Sequence, residues 1–222
     1  TTNYKPLEDE INALKTELKE SNVTLKIIEL PSGKLARWSF AKDQLSKYAS
    51  VINPDIVHCR VYPSTLVALD TRKKYKFSYK IIFDARGVYP EQILERSTGI
   101  AGKARYHWWK HIEKRLLRES DLIVGVTNAF IDHFKKIDTK ANYKFIPCCV
   151  NIENNITEIA TNELRNELGF TESNIIAVYS GNLSAKYSSV NYIVEIFSHL
   201  YQKDTNFRFL VLTKSNTEEL EA

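Results

Sequence analysis

The residues best placed to do chemistry lie in Lys80-Ile81-Ile82-Phe83-Asp84-Ala85-Arg86-Gly87-Val88-Tyr89-Pro90-Glu91. A short apolar run ends there on an acid, a guanidinium, a glycine and a Pro-Glu pair. A buried parallel strand ends this way where its carboxyl edge opens into a ligand crevice. Arg86 offers a rigid fork of donors suited to an anion, and Gly87 lets the backbone approach a ligand closely. The competing role for Arg86 is a structural ion pair with Asp84 or Glu91.

His58-Cys59-Arg60 ends another apolar run. His58 suits a base, a donor to a hydroxyl, or a satisfied core histidine. A cation at a strand end, as at Arg60, is costly unless an anion meets it. Ser180-Gly181-Asn182-Leu183-Ser184-Ala185-Lys186 follows a third run. A glycine at a strand-to-helix turn exposes backbone N–H groups to a phosphate, and Lys186 adds charge. The segment lacks the glycine spacing of Walker A and of the dinucleotide fingerprint. Residues 103–118 carry Trp108, Trp109, Ile112, Leu116 and Leu117 on one face, with Arg105, Lys110, Lys114, Arg115 and Arg118 around the rest. Two accounts fit: a core-facing helix with a solvated basic side, or an interfacial helix against anionic lipid. Glu113, among these cations, pairs at helical spacing with a neighbour.

The elements that must position these residues alternate. Leu7, Ile11, Leu14 and Leu18 predict an amphipathic helix over 6–20. Val23 to Leu30 predicts a strand stopped by Pro31. Leu35 to Tyr48 is weakly helical. Further strands are predicted at 55–61, 80–83, 122–126 and 143–146, with helices at 65–75 (capped by Ser64), 104–119 and 129–136 (capped by Thr127 or Asn128). Gly99 and Gly102 make 88–104 irregular. Asn151 to Glu158 is polar and aperiodic, which places a domain boundary there and gives units 1–150 and 151–222. The second unit opens with a helix at 162–168 ending at Gly169, then a strand at 175–180, a helix at 190–201 and a strand at 207–212. Short continuous apolar strands alternating with helices predict a parallel sheet covered on both faces.

The chain has 222 residues, 43% hydrophobic and 26% charged, as in ordinary soluble domains. Its net charge of +4 permits anionic lipid or phosphate ligands and does not call for nucleic acid. Cys59, Cys148 and Cys149 show no metal-like spacing and read as reduced thiols in a cytosolic compartment, with Cys148 and Cys149 expected to be small buried residues. No methionine is present, which points to a fragment or to methionines and loops missing from the sequence.

Taken in order, these segments resemble the retaining glycosyltransferases of family four, which have the two-lobed GT-B fold. His58-Cys59-Arg60 is similar to the family's His-x-Arg. Residues 83–91 resemble its Asp-x-Arg-Gly-x-x-Pro-Glu loop, and Glu113 to Thr127 its Glu-(Lys/Arg) helix running into a Ser-Asp strand. Phe145 to Asn151 resembles its Ile-Pro-Asn-Gly-Val-Asp crossing, with Cys148-Cys149 in place of Asn-Gly. Tyr179 to Leu183 resembles the opening loop of the nucleotide-sugar lobe.

The resemblance implies an α/β chain. It has a Rossmann-like parallel-sheet N-terminal lobe and a truncated second lobe. It implies transfer from a nucleotide sugar to a lipid-linked or polysaccharide acceptor, in cell-surface glycan biosynthesis. Arg86 and His58 would be catalytic, and Arg60, Asp84, Gly87 and Glu91 would line the acceptor side. Gly181, Asn182 and Lys186 would meet the donor phosphates. No metal or other cofactor is expected, because helix ends and cations meet the diphosphate. Helix 103–118 is the candidate contact with the inner face of an anionic membrane. The family's Glu-x-x-x-x-x-x-x-Glu segment has no counterpart up to Ala222, so the chain is expected to be inactive by itself. The alternatives are a non-catalytic glycan- or partner-binding homologue, and an unrelated doubly wound enzyme such as an epimerase or a phosphatase.

Overall fold

The computed structural model describes residues 8–97, 99–149, 164–181, 183 and 190–213. The chain divides into two compact units, Thr1–Pro147 and Cys148–Ala222.

In the first unit α1 (Glu8–Glu20) and α2 (Lys34–Ile52) precede an alternating series. That series runs β1 (Ile56–Arg60), α3 (Tyr62–Tyr75), β2 (Lys80–Asp84), α4 (Tyr89–Arg96), α5 (Ile100–Glu119), β3 (Leu122–Gly125), α6 (Asn128–Lys135) and β4 (Tyr143–Phe145). The sheet is parallel with order β1-β2-β3-β4, Ile56 facing Lys80 and Arg60 facing Asp84. Right-handed crossovers between sequential neighbours place their helices on one face, and α3 and α5 do pack together. That face holds the core. Cys59, Ile81, Phe83 and Ile123 lie under Tyr62, Leu66, Leu69, Leu116 and Leu117. The opposite face is more open, with Ile56, His58, Arg60 and Lys80 exposed, so the expected burial of both faces is not found among the described residues.

Three other expectations change. Val23–Leu30 forms no strand; its apolar residues Val23, Ile27 and Leu30 are exposed and alternation alone gave it no sheet partner. Ser64 is not the cap of α3, which starts two residues earlier behind Val61 with Pro63 in its first turn. Residues 89–96 are helical, and Gly102 sits in the first turn of α5. A Cβ there would lie 1.9 Å from the Ser97 carbonyl oxygen, so glycine serves close approach rather than helix termination. Gly102→Ala should lower the unit's stability by about 1–3 kcal/mol, as overpacking does, read as a shifted urea midpoint. Thr127 does cap α6, its hydroxyl accepting from the Phe130 N–H at 3.2 Å.

At the amino ends of β2 and β3, Asp121 accepts from the Ile81 N–H at 2.9 Å and from Arg72 Nη1 at 2.7 Å, with Lys80 Nζ at 3.2 Å. Arg72 Nη2 also donates to the Glu119 carbonyl at 2.6 Å, closing the end of α5. Burial alone would raise the Asp121 carboxyl pKa. The Ile81 amide and the two cations outweigh it and hold the group below its ordinary value. A depressed folded pKa stabilises above the unfolded carboxyl pKa, and that stability is lost as pH falls through the folded one. Asp121→Asn should therefore cost about 1–2 kcal/mol near pH 7 and much less in acid below the folded value. Denaturation curves at both pH values check this.

The second unit contains a helical turn at 164–167, then β5 (Ile175–Ser180), α7 (Val190–Lys203) and β6 (Phe207–Leu212). Gly169 follows the helical turn at φ +73°, the left-handed geometry of a C-cap glycine, and the Phe170 N–H reaches the Arg165 carbonyl at 2.8 Å. Strands β5 and β6 are parallel, from Ile175 facing Phe207 to Ser180 facing Leu212. Phe197 of α7 stacks on Phe209 at 4.3 Å between centroids.

Candidate functional site

Both β1 and β2 end in a backbone turn that L-residues adopt only under constraint. Val61 lies at φ +66° and Arg86 at φ +50°. For a β-branched residue such as Val61 that conformation is strained, and such strain clusters at functional sites. The Val61 N–H donates to the Asp84 carbonyl at 2.8 Å, and the Gly87 N–H to the Ala85 carbonyl at 2.6 Å, fixing the two turns side by side.

This brings three of the expected residues together on the open face. Asp84 is 3% exposed. Its Oδ2 accepts from Arg86 Nε at 3.0 Å and lies 3.5 Å from His58 Nε2, while its Oδ1 is buried without a hydrogen-bond partner. Register sets Arg60 opposite Asp84 on the same face as His58, exposed. The structural pairing of Arg86 with Asp84 is thus present. Glu91 belongs elsewhere, on α4, where its Oε1 takes Lys110 Nζ at 3.1 Å. A Cβ on Gly87 would meet only the movable Gln92 amide, at 2.8 Å. In the second unit the Gly181 N–H donates to the Leu212 carbonyl at 3.0 Å. That amide extends the β5–β6 ladder, so it is not the open phosphate donor expected from sequence. Asn182 and Lys186 lie outside the described residues.

Sequence reasoning missed a second cluster. Glu113 of α5 is wholly buried, and Tyr62 Oη donates to its Oε1 at 2.6 Å. Lys110 Nζ binds its Oε2 as well as Glu91, and His133 Nε2 of α6 stands 4.0 Å away. Burial and then the Glu113 carboxylate push the Tyr62 phenol far above its ordinary pKa, so it remains a donor. For Lys110, burial opposes the charge, but Glu113 and Glu91 prevail and its pKa is raised. Glu91, Glu113 and His133 bring their ligand atoms within 4.8 Å of one another, as a metal site would. The Lys110 ammonium already sits between the two carboxylates and supplies the cation. The signal in sequence was Lys110 at i−3 from Glu113, but helical spacing does not show that the carboxylate points inward.

The 103–118 helix is core-facing. Trp109, Ile112, Leu116 and Leu117 are buried, while Trp108 is 48% exposed. Its cations are largely engaged within the unit, Arg115 by Asp70 and Glu119, Arg118 by Asp138 and Lys110 by Glu91 and Glu113. Among the described residues no helix is long and apolar enough to cross a membrane. Cys59 is buried, which pushes its thiol up to about 12, whereas Cys148 and Cys149 are exposed, contrary to expectation.

Parallel sheets with helical crossovers, and polar side chains gathered at the strand ends, define a Rossmann-like α/β protein of the class that binds ligands at the sheet's carboxyl edge. The model of Glycosyltransferase Family 4 matches residues 6–154, and the chain belongs to that family. Among curated proteins no sequence match is found. Among solved structures, Anabaena HepE in complex with UDP and glucose is similar at TM-score 0.60 and 14% identity, over 93% of this chain and 52% of that one. A glycosyltransferase from Rickettsia africae gives TM-score 0.59 and 17% identity, over 93% and 50%. The UDP-GlcNAc 2-epimerase of Neisseria meningitidis bound to UDP-GlcNAc gives 0.55 and 13%, over 97% and 57%. The chain spans about half the length of these structures. The shared fold is that of the GT-B glycosyltransferases.

Proposed function

We propose that this chain is part of a retaining glycosyltransferase that moves a sugar from a nucleotide-sugar donor to an acceptor, with the acceptor handled by the first unit. The convergence of His58, Asp84 and Arg86 at the carboxyl ends of β1 and β2 carries the reading. Asp84 faces one ring nitrogen of His58, which is 60% exposed, and leaves the other for an acceptor hydroxyl. Arg86 places a fixed cation beside it on the acceptor side, where the acceptor oxygen gains charge as its proton leaves. The donor's phosphates meet the 180–186 loop, with Lys186 as counter-charge and no metal required. HepE holds UDP and glucose, which supports a uridine diphosphate sugar as donor here.

A second reading, a glycan- or partner-binding homologue without donor chemistry, draws on the engaged Gly181 amide. Calorimetric titration of the intact protein with UDP, GDP and ADP separates the two. One of the three should bind saturably. If none does, the transferase reading loses its donor.

A further inference from the structure

We propose that Cys148 and Cys149 form a reversible thiol-modification site, at which a small disulfide of the glutathione class closes the two neighbouring sulfurs into one ring. The inference goes beyond glycosyl transfer and does not rest on it.

The chain has three cysteines, and the structure sorts them into two kinds. Cys59 lies in the core of the first unit, and burial pushes its thiol up to about 12. The thiolate is the reactive form, so a thiol kept neutral in an apolar core is inert. Cys148 and Cys149 are both exposed. A reagent can reach either sulfur, and adjacency brings the second to whatever the first has taken up. A single surface thiol can only carry an adduct, whereas a neighbouring pair can expel it.

Their place in the fold suits such chemistry. The first unit ends at Pro147, and Cys148 and Cys149 open the second. The backbone ahead of them is held. The Ile146 N–H donates to the Gly125 carbonyl, at the end of β3, at 3.0 Å. Ile146 precedes a proline and is confined to extended geometry, and the Pro147 ring fixes its own φ. Residues 146–149 belong to no helix or strand, so turning Cys148 and Cys149 toward each other breaks no ladder.

The exchange runs in two displacements. One protein thiolate attacks a sulfur of glutathione disulfide, whose S–S bond breaks; one glutathione thiolate leaves and the protein keeps the other as a mixed disulfide. The second protein thiolate attacks the protein sulfur of that mixed disulfide, forms the ring bond and expels the second glutathione. The two protein sulfurs are oxidised, and the reagent is reduced to two glutathione thiols, which take up the two protons. Closure is intramolecular, so it outruns a second glutathione arriving from solution. The ring spans a single peptide link. Consecutive Cα atoms stand about 3.8 Å apart across a trans bond, short of the roughly 4.4–6.8 Å that disulfides prefer. The ring is therefore strained, and strained, exposed disulfides are the labile ones that a reductant reopens. Where thiols are otherwise kept reduced, disulfides of this transient kind are the ones that form.

The test treats the intact protein with glutathione disulfide, then with dithiothreitol, and follows thiol count, intact mass and the peptide that holds Cys148 and Cys149. Two of the three thiols should disappear with the loss of two hydrogens and no glutathione retained, while Cys59 stays a thiol. Dithiothreitol should restore both. Cys148→Ser and Cys149→Ser, both folded by circular dichroism, should each retain one glutathione, because the thiol that expels it is gone. Two unreacted thiols at 148 and 149 would overturn the proposal. So would glutathione retained on the unaltered chain, since closure then fails. A disulfide between two copies, oxidation of Cys59 in place of the pair, or a ring that dithiothreitol leaves shut would also overturn it.

Discussion

Arg86→Ala in the intact enzyme should lower glycosyl transfer about a hundredfold or more, the loss typical of removing one preorganised group that stabilises transition-state charge. Nucleoside diphosphate affinity should change little, because Arg86 belongs to the acceptor side of the account. The guanidinium is held where it works. Its backbone is at φ +50° and its Nε is bonded to a carboxylate that is 3% exposed. Removing it leaves the buried Asp84 carboxylate without its guanidinium, with His58 Nε2 3.5 Å away, so a stability cost of about 1–3 kcal/mol accompanies the kinetic one. That is survivable within the usual 5–15 kcal/mol. Arg86→Lys keeps the charge without the fork and should recover part of the rate. Initial rates beside urea midpoints separate the two effects. Unchanged turnover in the alanine variant removes Arg86 from the site.

The largest stability effect is expected at Glu113. Glu113→Ala should destabilise the first unit by about 3–5 kcal/mol, the cost of leaving one member of a buried ion pair alone. Lys110, Tyr62 and His133 all converge on this carboxylate from α5, α3 and α6, and Glu91 joins through Lys110. Glu113→Gln keeps an acceptor for the Tyr62 hydroxyl and should cost clearly less. Thermal and chemical denaturation of the three proteins decide it. A loss below about 1 kcal/mol for the alanine variant would mean that the network does not hold the helices together.

Strands with steep local signals were legible. Residues 80–84, 175–180 and 207–212 are short apolar runs bounded by polar or turn residues, and they form strands there. Val23–Leu30 alternates just as well yet stays unpaired, because a strand needs an edge to join and alternation cannot supply one. The α4 helix was hidden by Pro90 and the nearby glycines. Proline is at home in a first turn, and Gly102 marks close packing instead of a break. At the site, His58, Arg60, Asp84 and Arg86 were visible because strand ends are readable and polar residues there are conspicuous. The contact of Glu91 with Lys110 was not legible, because an irregular reading of 88–104 hid the helix that turns Glu91 toward it. The Glu113 cluster was invisible because its partners lie 51 residues back, at Tyr62, and on α6. Only the packing of α3, α5 and α6 brings them to one point.

The central claim is that this chain belongs to an enzyme that takes a sugar off its nucleotide and gives it to another molecule. Proton and phosphorus NMR of the intact protein with a uridine diphosphate sugar and a panel of glycan and lipid-linked acceptors tests it most directly. The account predicts free uridine diphosphate released one for one with a new glycoside that keeps the donor's anomeric configuration. A sugar that is epimerised while still attached to its nucleotide, or a donor left intact, would contradict it.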